Sequence, residues 1–158
     1  MARDLNVALI GQAFMGKAHS NAWSQAPRFF DLPVNPVMHT VAARNAETLP
    51  AFEKRFGWAN TSTNAKALAK NDEIDLVDIS TPNDSHRMFS VQMLEAGKHV
   101  ACEKPLAGTL AEAREMRDAA RKAKECKTFV WYNYRRCPAV ALAYNLIRSG
   151  KIGEIYHV

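Results

Sequence analysis

The sequence predicts an α/β fold built on a doubly wound parallel sheet. Three observations predict it. Apolar runs of strand length alternate strictly with segments of helical period, a glycine-containing turn follows the first run, and polar residues follow the later runs. Strict alternation implies parallel strands joined by right-handed crossovers, and such sheets bind ligands at the carboxyl ends of their strands. The residues that follow each strand are therefore the candidate functional residues.

The composition is that of an ordinary globular protein. Of the 158 residues, 47% are hydrophobic and 23% are charged, which excludes a disordered chain. The net charge of +5 comes from basic residues that are scattered rather than arranged in a stripe. This distribution argues against nucleic-acid binding and fits solubility or a phosphate-bearing small ligand.

The sequence predicts neither a membrane anchor nor a metal site. The apolar run near the amino terminus is too short for a signal peptide or a membrane span. Cys102, Cys126 and Cys137 are widely spaced and have no CxxC pair or nearby histidine cluster, so neither a disulfide framework nor a zinc site is suggested. Free cysteines fit a reducing compartment, and the cytoplasm is the expected location.

The first two strands and helices are predicted from residues 6–57. The run NVALI (6–10) is of buried-strand type, and GKAHSNAW (16–23) can form the helix that follows it. The run VMHTVAA (37–43) predicts the second strand. The next helix is expected to hold Pro50 in its first turn and to end at Gly57, a position suited to a left-handed C-cap.

The run IDLVDIS (74–80) predicts the third strand. Either Asp84 or Asn83 can cap the helix that follows, because both residue types accept hydrogen bonds from free backbone N–H groups. Gly97 is expected to stop this helix. Its apolar face is expected to hold Met88, Val91 and Leu94.

The last two strands of the sheet are predicted at HVACE (99–103) and TFVWYN (128–133). Between them, Thr109 and Glu112 have the spacing of a capping box, which marks the start of a helix that runs toward Lys124. The apolar stripe of this helix is expected to hold Leu110, Ala113, Met116 and Ala120.

The stretch LIGQAFMGKAH places the pattern Gly11-x-Ala13-x-x-Gly16 between the first strand and the first helix. In the dinucleotide-binding fingerprint the first glycine makes the tight turn, the second lets the backbone approach pyrophosphate, and the third lets the helix pack on the strand. Ala13 takes the place of the second glycine, and a small shift of the diphosphate accommodates its methyl group. Backbone N–H groups of Ala13, Phe14, Met15 and Gly16 are predicted to hold the phosphates. The same turn also fits a strand-to-helix connection that binds nothing.

The fingerprint next requires an acidic residue at the end of the second strand, where it binds the adenosine ribose. Asp31 has the expected distance from Gly11, but it lies in a proline-rich connection before that strand. The strand instead ends at Arg44 and Asn45, and a guanidinium can pair with a phosphate and stack on adenine. The sequence therefore favours NADP over NAD, with Arg44 and Asn45 as cofactor contacts. The alternative is that Arg44 is a solvated charge at a helix start.

The third strand is followed by Ser80, Thr81, Pro82 and Asn83, which place hydroxyl and amide groups at the cofactor edge of the sheet. These residues are predicted to contact the nicotinamide half of the cofactor. Turn chemistry alone also explains the Pro-Asn pair. His86 is expected on the surface of the following helix, where a contact with the cofactor is a further hypothesis.

The fourth strand ends in Glu103, Lys104 and Pro105. A lysine that is partly desolvated at this edge has its amine form favoured and can polarise or deprotonate a substrate hydroxyl group. Glu103 is predicted to orient Lys104 and to contact the cofactor, and Pro105 is predicted to fix the turn. The alternative is a simple ion pair at the end of a strand.

The stretches GQAFMGKAHS, STPNDSH, AGKHVACEKPLAGTLAEA and YNYRR together resemble the Gfo/Idh/MocA family of NAD(P)-dependent oxidoreductases, in order and across nearly the whole chain. The resemblance implies an enzyme with a Rossmann domain that carries the cofactor. It implies hydride transfer between the nicotinamide and a hydroxyl group of a sugar, a polyol or a similar small molecule, with Lys104 as the catalytic residue. Asn133 and Arg135 would line the substrate cleft.

The resemblance also implies a division of the chain. Residues 1–132 would form the Rossmann domain, and residues 133–158 would form a connecting helix and the first strand, EIYHV (154–158), of a second α/β domain. That domain forms the substrate wall and the dimer face in this family, so a homo-oligomer is expected for a full-length protein. None of the five histidines lies where the family's catalytic histidine should be, and we expect a truncated chain that binds cofactor with little turnover. A non-catalytic dinucleotide-binding or structural module is the alternative.

Overall fold

The computed structural model describes residues 2–157, which form a six-stranded parallel sheet with helices on both faces. The strands are β1 (Arg3–Ile10), β2 (Val34–Ala42), β3 (Asn60–Ser62), β4 (Leu76–Ile79), β5 (His99–Glu103) and β6 (Thr128–Trp131). The helices are α1 (Phe14–Phe29), α2 (Leu49–Phe56), α3 (His86–Glu95), α4 (Leu110–Lys122) and α5 (Pro138–Arg148). Short 3₁₀ helices lie at Ala65–Lys70, Asn83–Ser85 and Asn133–Arg136.

The strand order β3-β2-β1-β4-β5-β6 confirms the predicted doubly wound sheet. The chain moves outward from β1 to β3, then returns to pair β4 with the other side of β1. The order reverses between β1 and β4, and a crevice opens at their carboxyl ends because the connections leave in opposite directions. This crevice is where a ligand is expected.

The core has two layers because the central strands are buried on both faces. In β1, Ala8 and Ile10 face one apolar cluster, while Val7 and Leu9 face the other, as the two-residue period of a strand requires. Burying one such aliphatic side chain contributes about 1.5–3 kcal/mol. The apolar runs that predict the strands are therefore also the residues that hold the sheet between its helices.

The predicted start of α3 is wrong. Residues Asn83–Ser85 form a 3₁₀ helix, and the N-cap residue of α3 is Ser85, which makes no side-chain capping bond. Neither Asp84 nor Asn83 caps the helix. Met88 is 37% exposed, so it does not belong to the buried face as predicted. The buried residues of α3 are His86, Ser90, Met93 and Leu94.

The other predicted helix ends agree with the structure more closely. α2 ends at Gly57, which has φ +80° and the left-handed conformation. The capping box of α4 is present: the Thr109 hydroxyl accepts the Glu112 N–H at 3.2 Å, and the Glu112 carboxylate accepts the Thr109 N–H at 3.0 Å. Leu110 is 68% exposed, however, because the first residue of the helix faces away from the sheet, and Met116 is the buried residue of the stripe.

The carboxyl-terminal segment lies outside the core. No residue of α5 is buried in the described part of the chain. The expected strand at 154–158 is not seen in residues 154–157, because a strand needs a partner for its backbone groups, and these residues pair with none of the six strands. Val158 lies outside the described residues. Within residues 2–157, no helix has the length and apolar character needed to cross a membrane.

Candidate functional site

A groove of about 630 Å³ opens at the carboxyl ends of β1, β2 and β4. It lies at the point where the strand order reverses. Seven of the predicted cofactor-binding residues line it, and they come from three separate turns: Gly11, Ala13, Arg44, Asn45, Ser80, Thr81 and Pro82. The structure therefore brings together residues that are up to 71 positions apart in the sequence (Gly11 to Pro82).

The glycine turn is fixed by its contact with β4. Gly11 has φ +116°, and a side chain there would lie 2.7 Å from the Ser80 hydroxyl oxygen. A side chain on Gly16 would overlap the carbonyl oxygen of Gly11. The Ser80 hydroxyl donates to the Ile10 carbonyl at 3.0 Å, which holds β4 against the turn. Both glycines are thus required for the close approach of α1 to the strands.

The amino terminus of α1 lies at the groove, since Ala13 is both its N-cap residue and part of the groove lining. Ala13 makes no side-chain capping bond, and the first turn of the helix has no acidic residue. The first N–H groups of the helix are therefore left for an anion, and the helix dipole favours negative charge there. Phe14 is 79% exposed, Met15 is half-buried and Gly16 is buried.

The end of the groove beside β2 carries cations. Arg44 and Lys66 both line it and are exposed. Gln12 donates to the Thr48 hydroxyl at 2.7 Å, while its own Oε1 atom is buried without a hydrogen-bond partner in the described part of the chain. Gln12 is one of the residues that line the groove, and a hydroxyl group of a ligand that reached this oxygen would satisfy it.

Several lining residues were not predicted from the sequence. The turn after β3 contributes Thr63, Asn64 and Ala65, and the stretch NTS was missed because three polar residues give no apolar strand signal. The turn could have been located from its position in the chain, because it follows the helix that comes after the second strand. The remaining unpredicted lining residues are Ile10, Gln12, Ala42, Ala43, Lys66, Asp84, Ser85, Met88 and Phe89.

His86 does not have the predicted position. It is buried rather than exposed on α3, with 1% of its surface accessible, and it is not among the residues that line the groove. Its ring nitrogens lie 2.8 Å from the Thr81 carbonyl oxygen and 2.9 Å from that of Pro105. The predicted surface position is therefore wrong, while the cofactor contact stays a prediction. His86 instead ties the turn after β4 to the turn after β5, an interaction between distant segments that a single sequence does not reveal.

Glu103 and Lys104 are adjacent, but the structure gives them different environments. Glu103 is buried, and its Oε2 atom accepts the backbone N–H of Lys104 at 2.9 Å. Lys104 is exposed rather than partly desolvated. The predicted orienting contact thus acts on the backbone of Lys104 and not on its ammonium group, while the contact of Glu103 with a cofactor stays a prediction. The peptide bond between Lys104 and Pro105 is cis.

The remaining predicted residues lie at the same edge of the sheet and outside the groove lining. Asn83 follows β4, Lys104 follows β5, and Asn133 and Arg135 follow β6. All four are exposed. Because these strands are parallel neighbours, their carboxyl ends meet at one edge. The edge next to the groove therefore presents a row of amide and cationic side chains whose roles stay predictions.

A buried polar cluster lies beneath this edge, and it was not predicted. His19 on α1 lies between Asp78 of β4 and Glu103 of β5, with contacts of 3.0 Å to each carboxylate. A histidine three residues after the third glycine position is its sequence signal, but only the fold shows which carboxylates it meets. Among residues 2–157, no group of three or more His, Cys, Asp and Glu side chains is arranged to hold a metal ion.

Comparisons with known proteins agree with this geometry. A levoglucosan dehydrogenase of Pseudarthrobacter phenanthrenivorans is 45% identical over 154 residues, which cover 97% of this chain and 39% of the relative. An oxidoreductase domain protein from Kribbella flavida has a structure with a TM-score of 0.92 at 50% identity, covering 97% of this chain and 41% of that one. A levoglucosan dehydrogenase in complex with NADH and levoglucosan also gives a TM-score of 0.92, at 44% identity and the same two coverages, 97% and 41%.

The chain therefore spans about 40% of the length of these relatives. The model of the Gfo/Idh/MocA oxidoreductase family, NAD-binding Rossmann fold, matches residues 5–132, which is most of the chain. The resemblance and the fold predicted from the sequence are both confirmed. The chain thus belongs to the Gfo/Idh/MocA family of oxidoreductases, and residues 5–132 carry its NAD-binding Rossmann fold.

Proposed function

We propose that this chain binds a nicotinamide dinucleotide along the groove and forms the cofactor half of a dehydrogenase that acts on a hydroxyl group of a sugar or polyol. One observation carries the proposal: the uncapped start of α1 and the tight Gly11 turn open on a groove at the switch point of the sheet. The levoglucosan dehydrogenases among the relatives, one of them in complex with NADH, support a sugar as the substrate.

The groove residues fit the parts of a dinucleotide. The first N–H groups of α1 are free for the diphosphate, since neither a side-chain cap nor an acidic side chain competes for them. The Oε1 atom of Gln12 is free to accept from a ribose hydroxyl. When bound, the nicotinamide supplies the acceptor or donor of a hydride.

In the proposed reaction, Lys104 moves a proton. Its side chain is exposed at the end of β5, one strand away from the groove, so its Nζ atom is accessible to a substrate hydroxyl. During oxidation of the substrate, Lys104 would take up the hydroxyl proton as the hydride leaves the carbon, provided that the bound cofactor and substrate exclude water from its side chain and so favour the amine form. Asn133 and Arg135, on the neighbouring 3₁₀ helix, are proposed to hold the other hydroxyl groups of the substrate.

We propose further that NADP is preferred over NAD. Arg44 and Lys66 line the end of the groove beside β2, and Asp84, the acidic residue among those lining the groove, belongs to the turn after β4. Two cations favour a 2′-phosphate. The NADH complex of the levoglucosan dehydrogenase gives the opposite expectation, so the two cofactors must be compared directly.

A fluorescence titration with NADPH and NADH in parallel tests this proposal. We expect NADPH to bind more tightly, and R44Q to weaken NADPH binding about tenfold while it changes NADH binding less than about twofold. R148Q, at the end of α5, is the matched control and should change neither affinity. Equal affinities for both cofactors would refute the preference. Binding of neither cofactor would refute the proposed function.

The cytoplasm is the proposed compartment, and the described structure supports this through its free thiols. Cys102 is buried, Cys126 is half-buried and Cys137 is exposed, and all three are unpaired in residues 2–157. Burial raises the pKa of Cys102 to about 12, so this thiol stays protonated at neutral pH. We also propose that the whole protein forms a homo-oligomer, as the family resemblance implies.

A further inference from the structure

The buried cluster of Asp78, His19 and Glu103, called here the Asp78–His19–Glu103 cluster, joins three elements of the fold. His19 belongs to α1, Asp78 to β4 and Glu103 to β5. Nδ1 of His19 lies 3.0 Å from both carboxylate oxygens of Asp78, and Nε2 lies 3.0 Å from Oε1 of Glu103. All three side chains are buried.

This geometry determines the protonation of the ring. A neutral imidazole has one N–H group and one lone pair, whereas ionised carboxylates only accept hydrogen bonds. With a carboxylate at each ring nitrogen, a neutral ring would leave one lone pair facing a carboxylate oxygen. Only an imidazolium donates to both partners.

The proton does not belong on a carboxylate, because both carboxylates already accept other hydrogen bonds. Asp78 accepts the indole N–H of Trp23 at 2.8 Å and that of Trp131 at 2.9 Å. Glu103 accepts the backbone N–H of Lys104 at 2.9 Å. These donors stabilise the ionised form of each carboxylate.

The electrostatic balance agrees with this assignment. Burial alone would lower the pKa of His19, but hydrogen bonds and charge from Asp78 and then from Glu103 raise that pKa above its ordinary value. These two carboxylates, one from each adjoining strand, are the charged groups that face the ring. The aromatic neighbour Trp131 meets it edge-on, with 5.4 Å between ring centroids, and carries no charge.

We propose that the imidazolium of His19 is a positioning residue that fixes Glu103, and that Glu103 in turn fixes the backbone of Lys104 at the edge of the sheet. This inference rests on the proposed function of Lys104. The two oxygens of Glu103 have different hydrogen-bond partners: Oε1 accepts from His19, and Oε2 accepts from the Lys104 N–H. His19 lies on α1, whose N-cap residue Ala13 lines the groove, so the cluster links this helix to the lysine turn.

Stability alone does not account for this arrangement. Taking three charged groups out of water costs more than an apolar filling of the same space, so a buried triad of this kind is poor evidence for a stabilising role. The triad fixes the orientation of its side chains, because each polar atom has a defined hydrogen-bond partner. The backbone of Lys104 is positioned because its N–H group donates to Oε2 of Glu103, and His19 holds the same carboxylate through Oε1.

Two variants separate the two contacts of His19. In H19Q the amide nitrogen reaches the position of Nε2 and keeps a donor toward Glu103, while in H19N it reaches the position of Nδ1 and keeps a donor toward Asp78. We expect hydrogen exchange of the Lys104 amide to be about tenfold faster in H19N than in the wild type, and H19Q to restore most of the protection. Equal exchange in the two variants would overturn the positioning role.

A measurement on the wild-type chain remains decisive if a variant fails to fold. Nitrogen-15 NMR of His19 should show a proton on each ring nitrogen at neutral pH. A single ring proton would overturn the inference. Titration of the same sample with NADPH and NADH separates the two proposals. With either cofactor bound and one ring proton, the inference alone fails. With neither cofactor bound, the proposed function and the positioning role that rests on it fail together.

Discussion

Lys104 is the residue on which the proposed chemistry depends. It is exposed at the end of β5, and its backbone is held by Glu103. K104M keeps most of the side-chain volume and removes the proton-carrying amine. We expect it to lower turnover by about 100-fold to 10,000-fold, the usual contribution of a general acid or base. Turnover is to be measured in a form of the protein that carries a complete substrate site.

The same variant should bind NADH with an affinity within about twofold of the wild type, because Lys104 is not part of the groove lining. K124M, at an exposed position beyond the end of α4, is the control for the loss of one charge. Unchanged turnover in K104M would remove this lysine from the mechanism.

Gly16 shows how closely α1 approaches the first turn. A methyl group at this position would overlap the carbonyl oxygen of Gly11 and lie 2.9 Å from its carbonyl carbon. Backbone atoms cannot move aside as a flexible side chain can, so we expect G16A to lower the free energy of unfolding by about 1–3 kcal/mol or more. Urea denaturation followed by circular dichroism measures this loss.

Gly108 provides the matched control for G16A. A methyl group there would meet only the end of the Glu112 side chain, at 3.3 Å. Because a shift of a few tenths of an ångström at the end of that side chain relieves the contact while the capping box is kept, G108A should change the free energy of unfolding by less than about 0.5 kcal/mol. A stability of G16A as high as that of G108A would contradict the close packing of α1 on the turn.

His19 should make stability depend on pH. Its pKa in the folded state lies above the ordinary value of 6.5, because Asp78 and Glu103 outweigh the opposing effect of burial. The stabilisation is complete below pH 6.5, where both states bind the proton, and is lost as the pH rises through the folded-state pKa. In this window the free energy of unfolding should fall by up to about 1.4 kcal/mol per pH unit.

The comparison with H19Q isolates this effect, since every other titrating group is common to both proteins. Urea denaturation at a series of pH values above 6.5 should give a steeper decline for the wild type than for H19Q. Parallel curves would mean that His19 does not bind its proton more tightly in the folded state.

At the scale of single elements, the start of α4 is fixed by its capping box. The Thr109 hydroxyl and the Glu112 carboxylate each accept a backbone N–H group that the helix itself cannot satisfy. T109A should lower the free energy of unfolding by about 1 kcal/mol, whereas E112Q should have a smaller effect because glutamine also completes a capping box. Thermal denaturation can rank the two, and the reverse order would contradict the geometry.

The bounds of an element could be predicted most accurately where a single local signal in the sequence determines them. The apolar run of β5 gave the exact strand His99–Glu103, and Gly57 gave the end of α2. β3 was missed because its three residues are polar, and it is defined by pairing with β2 rather than by burial. The start of α3 was placed too early, since the turn residues Asn83–Ser85 can begin either an α-helix or a 3₁₀ helix.

The site was predictable to the extent that the sheet topology determines it. Parallel strands bring their carboxyl ends together, so the residues after each strand could be assigned to one region before the structure was seen. Side-chain environments could not be assigned in this way. His86 and Glu103 proved to be buried, and Lys104 proved to be exposed, because these properties depend on how α1 and α3 pack against the strands.

At the scale of the whole molecule, the exposed apolar side chains lie mostly after β5. Phe129, Tyr132 and Tyr134 are 57%, 55% and 68% exposed, and α5 leaves Leu142 and Tyr144 59% and 60% exposed. By contrast, the central strands are buried on both faces. The chain thus combines a well-packed sheet with a carboxyl-terminal region whose apolar side chains make few contacts, in keeping with its span of about 40% of the relatives' length.

The two outermost strands are short, with three residues in β3 and four in β6. Segments that assemble into fibrils are usually about six or seven residues long, since each added residue extends the ladder offered to a foreign chain. An edge strand of three or four residues presents few unpaired backbone groups with which a misfolded chain could pair. The short outer strands therefore limit edge-to-edge association of the domain with other chains.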